Sequence, residues 1–211
     1  MKRWKRLRRL AALLAAAVTV SSWSGAAAIG VIPDLHTQTA PVETASPDPA
    51  GFSFRNGIVW GTAAASVQEK EGQAMVERKQ GDWSILYTQS RVEVSRYFAD
   101  LVYMFYQDRL QMITYDFGTD AGNGSYTYLE GALSSVYGEM TEASAADVIR
   151  AMDRIYPGYY TEGLLDKVRG WTAADGTAVY LYYYGAEAFA ILYVSPEAAL
   201  PGSGAYITTG L

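Results

Sequence analysis

The chain reads as an α+β protein built on antiparallel sheet. Three observations predict this class. Tyr-, Val- and Ile-rich segments alternate with the two-residue period of a strand and are joined by hairpin-type turns. They come in runs rather than alternating with helices. Between the runs lie amphipathic stripes flanked by helix caps. The order is one helix, three strands, two helices, three strands. It predicts antiparallel sheet of about six to seven strands, with about three helices packed on one face. An internal duplication would give two tandem helix-plus-meander units, although no residue-by-residue repeat accompanies the order.

The N-terminus, MKRWKRLRRLAALLAAAVTVSSWSGAAAIG, holds six basic residues between Lys2 and Arg9 and no acid. An apolar run follows from Leu10 to Val20, and small residues stand at Ala26 to Ala28. This is the layout of a secretory signal peptide over 1–28. Two rivals share the pattern. Residues 10–32 carry no charge and are long enough for an uncleaved membrane anchor. Arg8-Arg9 resembles a twin-arginine signal in a poor consensus. Every version predicts an extracytoplasmic remainder, secreted or held at the cell envelope. Without 1–28 the chain keeps 11 basic against 22 acidic residues, a net charge of −11. Phosphate backbones and anionic headgroups repel such a chain, so no nucleic-acid partner is expected. Residues 29–50 hold four prolines among Thr, Ala and Ser, the composition of a linker. The folded domain is expected over 51–197, with a loose tail at 198–211.

Within the domain, Phe52 to Trp60 alternates as a short first strand. Residues 61–72 predict a helix, with Thr62 as cap, Ser66 and Glu69 as a weaker second start, and Gly72 as the stop. Three strands follow at Trp83–Val94, Tyr97–Gln107 and Leu110–Phe117, with a tight turn at Gln107-Asp108. Thr127 and Glu130 predict a capping box for a helix with Leu129, Leu133, Val136 and Tyr137 on one stripe, ending at Gly138. Ser144 caps the next, whose inward residues are Val148, Ile149, Met152, Ile155 and Tyr156. Pro157 stops it. The last strands are Lys167–Thr172, Ala178–Tyr184 and Ala188–Val194, with a hairpin signal at Asp175-Gly176.

Gly61-Thr62, Ser66-Val67 and Gly72 form a spaced helix opening. It resembles that of small extracytoplasmic α+β domains similar to the β-lactamase inhibitor protein and the small lipoprotein of the outer-membrane assembly machinery. The resemblance implies a non-catalytic module that binds other proteins. It covers about twelve residues and the loose element order, and carries over no functional residue. The chain departs from the pattern at Glu71, where an apolar residue is usual. No proline follows Gly72, and the hydroxyl residue stands one place early.

Most catalytic chemistry lacks its components. There is no cysteine, and the one histidine, His36, lies in the linker without rigid neighbours. Ser-His-Asp triads, Cys-His dyads and the usual zinc sites are therefore excluded from the domain. Residues 119–130 have the length and the turn glycine of a calcium loop. They place Thr119 and Ala121 where carboxylates are needed, so only an irregular site at Asp116, Asp120 and Asn123 stays open. No cofactor or metal is expected. Carboxylates alone can hydrolyse glycosides. Asp100, Asp108, Asp116, Glu130 and Glu162 qualify by type, and spacing selects no pair.

Seventeen tyrosines remain, all but Tyr206 between Tyr87 and Tyr193. The stretch VYLYYYG places Tyr180, Tyr182 and Tyr184 on one strand face, and Val179, Leu181 and Tyr183 on the other, toward helices. Strand tyrosines serve packing or present an aromatic face. The candidate partner-binding residues are Tyr180, Tyr182 and Tyr184, with Tyr159 and Tyr160 of YPGYY. A two-residue turn after Tyr184 sets Tyr182 against Phe189. A three-residue turn sets it against Ala190 and exposes more ring. The leading expectation is a non-enzymatic envelope module that binds a protein through this face. The alternative is a cell-wall glycan binder or carboxylate-based glycosidase.

Overall fold

A computed structural model describes residues 53–119, 124–185 and 187–199. The expected signal peptide and linker, the residues beyond 199, and Asp120 and Asn123 lie outside these residues. The fold is α+β, as expected, with one antiparallel sheet. Its strands are β1 (Met75–Gln80), β2 (Trp83–Thr88), β3 (Val92–Val94), β4 (Tyr97–Tyr106), β5 (Arg109–Gly118), β6 (Leu165–Thr172), β7 (Ala178–Tyr184) and β8 (Ala188–Val194). The spatial order is β1-β2-β4-β5-β8-β7-β6. The long β4 pairs with β3 through Tyr97 to Ala99 and with β2 through Val102 to Tyr106. Two meanders thus join where β8 lies against β5.

The helices are α1 (Ala64–Glu71), α2 (Ser125–Tyr137), α3 (Ala145–Met152) and the short α4 (Pro196–Ala199). The last of these extends past the expected boundary at Glu197, and Ala198 is buried. No helix among the described residues is long and apolar enough to cross a membrane.

The sheet is apolar on both faces, and this changes the expected layering. Leu101, Tyr103, Ile113, Leu181 and Ile191 point to one face, where Val67 of α1 and Leu129 and Leu133 of α2 cover them. Met104, Met112, Tyr182 and Leu192 point to the other, under Val148 and Met152 of α3 and Ile155 beyond it. The helices are therefore not all on one face. Strands buried on both sides show weak apolar/polar alternation, so the pattern could not assign a helix to a side.

Local chemistry also differs from expectation in places. Phe52–Trp60 is no strand over the described part. Ser53 and Val59 form a bridge around a tight turn at Arg55–Gly57. Thr62 does not cap α1; its hydroxyl donates to the Val59 carbonyl at 2.7 Å. The cap comes instead from the β4–β5 turn, where Asp108 Oδ1 accepts the Ala64 N–H at 3.0 Å. Helix α2 starts at Ser125, before the expected box, and Glu130 pairs with Arg169 at 3.1 Å. The Ser144–Asp147 box on α3 is present. That helix ends at Met152, ahead of Pro157. At β6, the Thr141 N–H donates to the Gly170 carbonyl at 2.8 Å. A Cβ on Gly170 would stand 2.5 Å from the Ala143 Cβ, so only glycine fits under this strap.

Candidate functional site

Strand β7 sorts its tyrosines as the alternation predicts. Val179, Leu181 and Tyr183 face α2, and the Tyr183 ring stacks on Tyr126 with centroids 4.5 Å apart. Tyr180, Tyr182 and Tyr184 face the other way, among the residues packed with α3. Three residues separate Tyr184 from Ala188, and Tyr182 pairs with Ala190. Of the two registers, this is the one that predicts more exposed ring. The ring is nevertheless covered: Tyr182 is 0 % exposed, because α3 and the segment after it fold over this face. Tyr182 is therefore not a contact residue. Tyr180, Tyr184 and Tyr160 are half-buried, and Tyr159 is 38 % exposed.

These rings brace one another. Tyr159 meets Tyr160 edge-on at 5.0 Å, Tyr160 meets Tyr182 at 6.5 Å, and Tyr182 lies 6.3 Å from Tyr184. At their margin sits Asp116 of β5. Its Oδ1 accepts the Tyr184 hydroxyl and the Gly118 N–H, the latter at 2.9 Å. Burial pushes the Asp116 carboxyl above the usual carboxylate range, and these two hydrogen bonds offset part of the rise. Burial, and then the Asp116 charge, raises the phenols of Tyr182 and Tyr184. Directly across the strand pair from Asp116 stands Asp100, whose side chain is 64 % exposed. Arg91 reaches Asp100 at 3.9 Å.

The other face holds a pocket of about 190 Å³ between the Arg55 turn, β3 and α2. Val94, Tyr115, Leu129, Leu133, Ile191 and Tyr193 give it an apolar lining, and Val136, 56 % exposed, also borders it. One charged group, Arg55, lines it as well. Arg55 Nε lies 3.3 Å from Glu71 Oε1, and the Glu71 side chain is fully enclosed. The same oxygen accepts the Tyr103 hydroxyl. Burial raises the Tyr115 phenol, and the Arg55 charge opposes this. Burial likewise pushes Tyr137 up to about 12. Glu71, which departs from the resembled pattern, is thus the partner that holds Arg55 at the pocket. A lone acid on the inward side of a helix was the signal that could have found this pair.

Two of the remaining candidate carboxylates hold structure and one does not. Asp108 caps α1, Glu130 holds Arg169, and Glu162 is exposed. Asp100 and Asp116 are the two candidates that the register sets opposite each other. Among the described residues no group of three or more His, Cys, Asp or Glu could hold a metal ion. Comparison with protein families, with curated proteins and with solved structures returns no match.

Proposed function

We propose that this protein is a non-enzymatic, extracytoplasmic binding module of the bacterial cell envelope that captures a protein partner. The signal-like N-terminus supports the location, and the lack of His and Cys in the domain supports the non-catalytic reading. The observation that carries it is the size and lining of the Arg55–α2 pocket. Small-molecule sites run to about 300–1,000 Å³. A pocket of about 190 Å³ suits one large apolar side chain, the kind of anchor that dominates protein interfaces. The binding surface in this reading is the pocket and Val136, not the Tyr180–Tyr182–Tyr184 face.

The test places a photo-crosslinking amino acid at Val136 of the full-length protein in its native envelope, and at exposed Glu187 as a control. A discrete adduct at 136 and none at 187 is expected. Ala132 also lines the pocket, and Ala132→Phe, which fills it, should remove the adduct without loss of folding. An adduct that survives Ala132→Phe refutes the pocket. No adduct at either position refutes capture of a protein.

A second reading, a carboxylate-based glycosidase, has one point in its favour. Asp100 and Asp116 are cross-strand neighbours beside tyrosines, and opposed Cβ atoms lie about 4.5–5.5 Å apart, close to the separation of about 5–5.5 Å found in retaining enzymes. Release of reducing sugar from cell-wall glycan, abolished by Asp116→Asn, would establish it.

A further inference from the structure

The Arg55–α2 pocket holds two donor groups that lack acceptors. The Arg55 side chain is 11 % exposed, and its Nε faces Glu71 at 3.3 Å. That contact is an ion pair without a hydrogen bond, since Arg55 Nε completes none. Its Nη atoms complete none either among the described residues. Glu71 is engaged from other sides: Oε1 accepts the Tyr103 hydroxyl, and Oε2 accepts the Gln73 amide at 3.4 Å. Arg55 lines the pocket and Glu71 does not. The guanidinium thus presents an unused fork to the cavity, with its acid behind it. The second donor is the Tyr115 hydroxyl. Tyr115 is 5 % exposed and lines the same cavity, and its hydroxyl bonds to no described residue. The Arg55 charge acts on this phenol, so the two donors lie close together. Buried donors without acceptors are costly, and most such groups in proteins have a partner. An acceptor-only group that suits a guanidinium fork and a phenol at once is a carboxylate.

We infer that the pocket receives the C-terminal residue of a partner polypeptide, its apolar side chain in the cavity and its terminal carboxylate on Arg55 and Tyr115. The assignment rests on the proposed capture of a protein at this same pocket. Val94, Leu129, Leu133 and Ile191 call for an apolar group, and the two donors call for an anion directly beside it. An Asp or Glu side chain supplies the anion with little apolar carbon. A chain terminus carries a full side chain and a carboxylate on one carbon. Capture of a terminal carboxylate by fixed donors is a recurring mode of peptide recognition. The excess of 22 acidic over 17 basic residues opposes an anion at long range. That repulsion is screened beyond about 10 Å, whereas Arg55 and Tyr115 act in contact. Glu71 holds the guanidinium before the ligand arrives, so less ordering is left to binding.

The experiment titrates the full chain, labelled with ¹³C in its tyrosine rings, with the peptide acetyl-Ala-Ala-Leu bearing a free carboxylate. Tyr115 and Tyr193 line the pocket and report on it. The same peptide as its C-terminal amide, and octanoate, are the controls. A saturable shift with the acid is expected, with the amide weaker by about tenfold or more, since charge-assisted hydrogen bonds are lost. Tyr115→Phe deletes only the hydroxyl and should weaken the acid several-fold, with the amide and the melting temperature unchanged. Arg55→Lys keeps a charge beside Glu71 without the fork and should weaken the acid by about tenfold. Ala132→Phe should abolish binding of both peptides. Equal affinity for acid and amide overturns the proposal, as does a wild-type preference for the acid in both Tyr115→Phe and Arg55→Lys. Octanoate binding more tightly than the peptide assigns the pocket to a lipid and overturns it. Dimerisation that Ala132→Phe abolishes assigns it to a second copy and overturns it. No saturable shift with the acid overturns it as well. In each case the adduct at Val136 separately decides whether the pocket captures a protein.

Discussion

Arg55, Glu71 and Tyr103 show how one buried charge dictates its neighbours. Removing one member of a buried pair leaves the other charge uncompensated, at a cost of about 3–5 kcal/mol. Arg55→Ala should therefore destabilise the fold by that order in urea denaturation, with Glu71 left enclosed. Replacing the whole set, as Arg55→Met/Glu71→Leu/Tyr103→Phe, should recover most of the loss, because apolar groups of similar volume need no partner. Full recovery would mean that the pair serves the pocket rather than stability. Asp116 behaves in the opposite sense to most carboxylates. Its pKa is raised in the folded state, from an ordinary value of 3.8. The folded protein then holds the proton more tightly than the unfolded chain. The stabilisation is complete below the unfolded pKa and is lost as pH rises through the folded one. Asp116→Asn should accordingly gain melting temperature relative to wild type on going from pH 4 to pH 7. A difference between the two proteins that is flat with pH would show that Asp116 does not titrate in this way.

At the scale of elements, the β4–β5 hairpin does two jobs. Gln107 and Asp108 both take positive φ, at 48° and 61°, which closes a two-residue turn whose twist suits the strands. Asp108 then caps α1, a helix 44 residues away in sequence. Asp108→Ala should cost about 1–2 kcal/mol through the lost cap, and Asp108→Asn should cost little. Denaturant midpoints of the two variants check this. The same hairpin shows what was legible in the chain. The turn at Gln107-Asp108 and strands β4, β5, β7 and β8 followed from alternation and turn residues alone. The origin of the α1 cap did not, since nothing local ties Asp108 to Ala64. Strand β1 was missed because MVERKQ has four exposed positions and no apolar period. Its pairing to β2 makes it a strand, not its own pattern.

For the whole molecule, the class was readable and the layering was not. The β7 register followed one of the two turn lengths considered, yet the exposure of Tyr182 depended on where residues 145–160 come to rest. That is a long-range packing outcome, and no local periodicity encodes it. The tyrosines thus divide by face. Tyr126 and Tyr183 help build one side of the core, and Tyr182 the other. Asp116 drew notice only as one acid among five. The cross-strand partner that gives it meaning comes from the pairing of β4 with β5.

The strap over Gly170 bears on how copies of this protein behave when crowded together. An open sheet has two outer strands, and each is a ready template for another chain to zip onto. Here the β6 end is bridged at a single point, where the Thr141 N–H donates to the carbonyl of Gly170, a position too close to Ala143 for a side chain. The β1 end carries Glu77, Arg78 and Lys79 in exposed positions, which repels an apolar newcomer. A sheet buried on both faces would make fibres readily if either end lay bare. With one end bridged at Gly170 and the other charged, both outer strands are poorer templates for a second copy than bare apolar edges are.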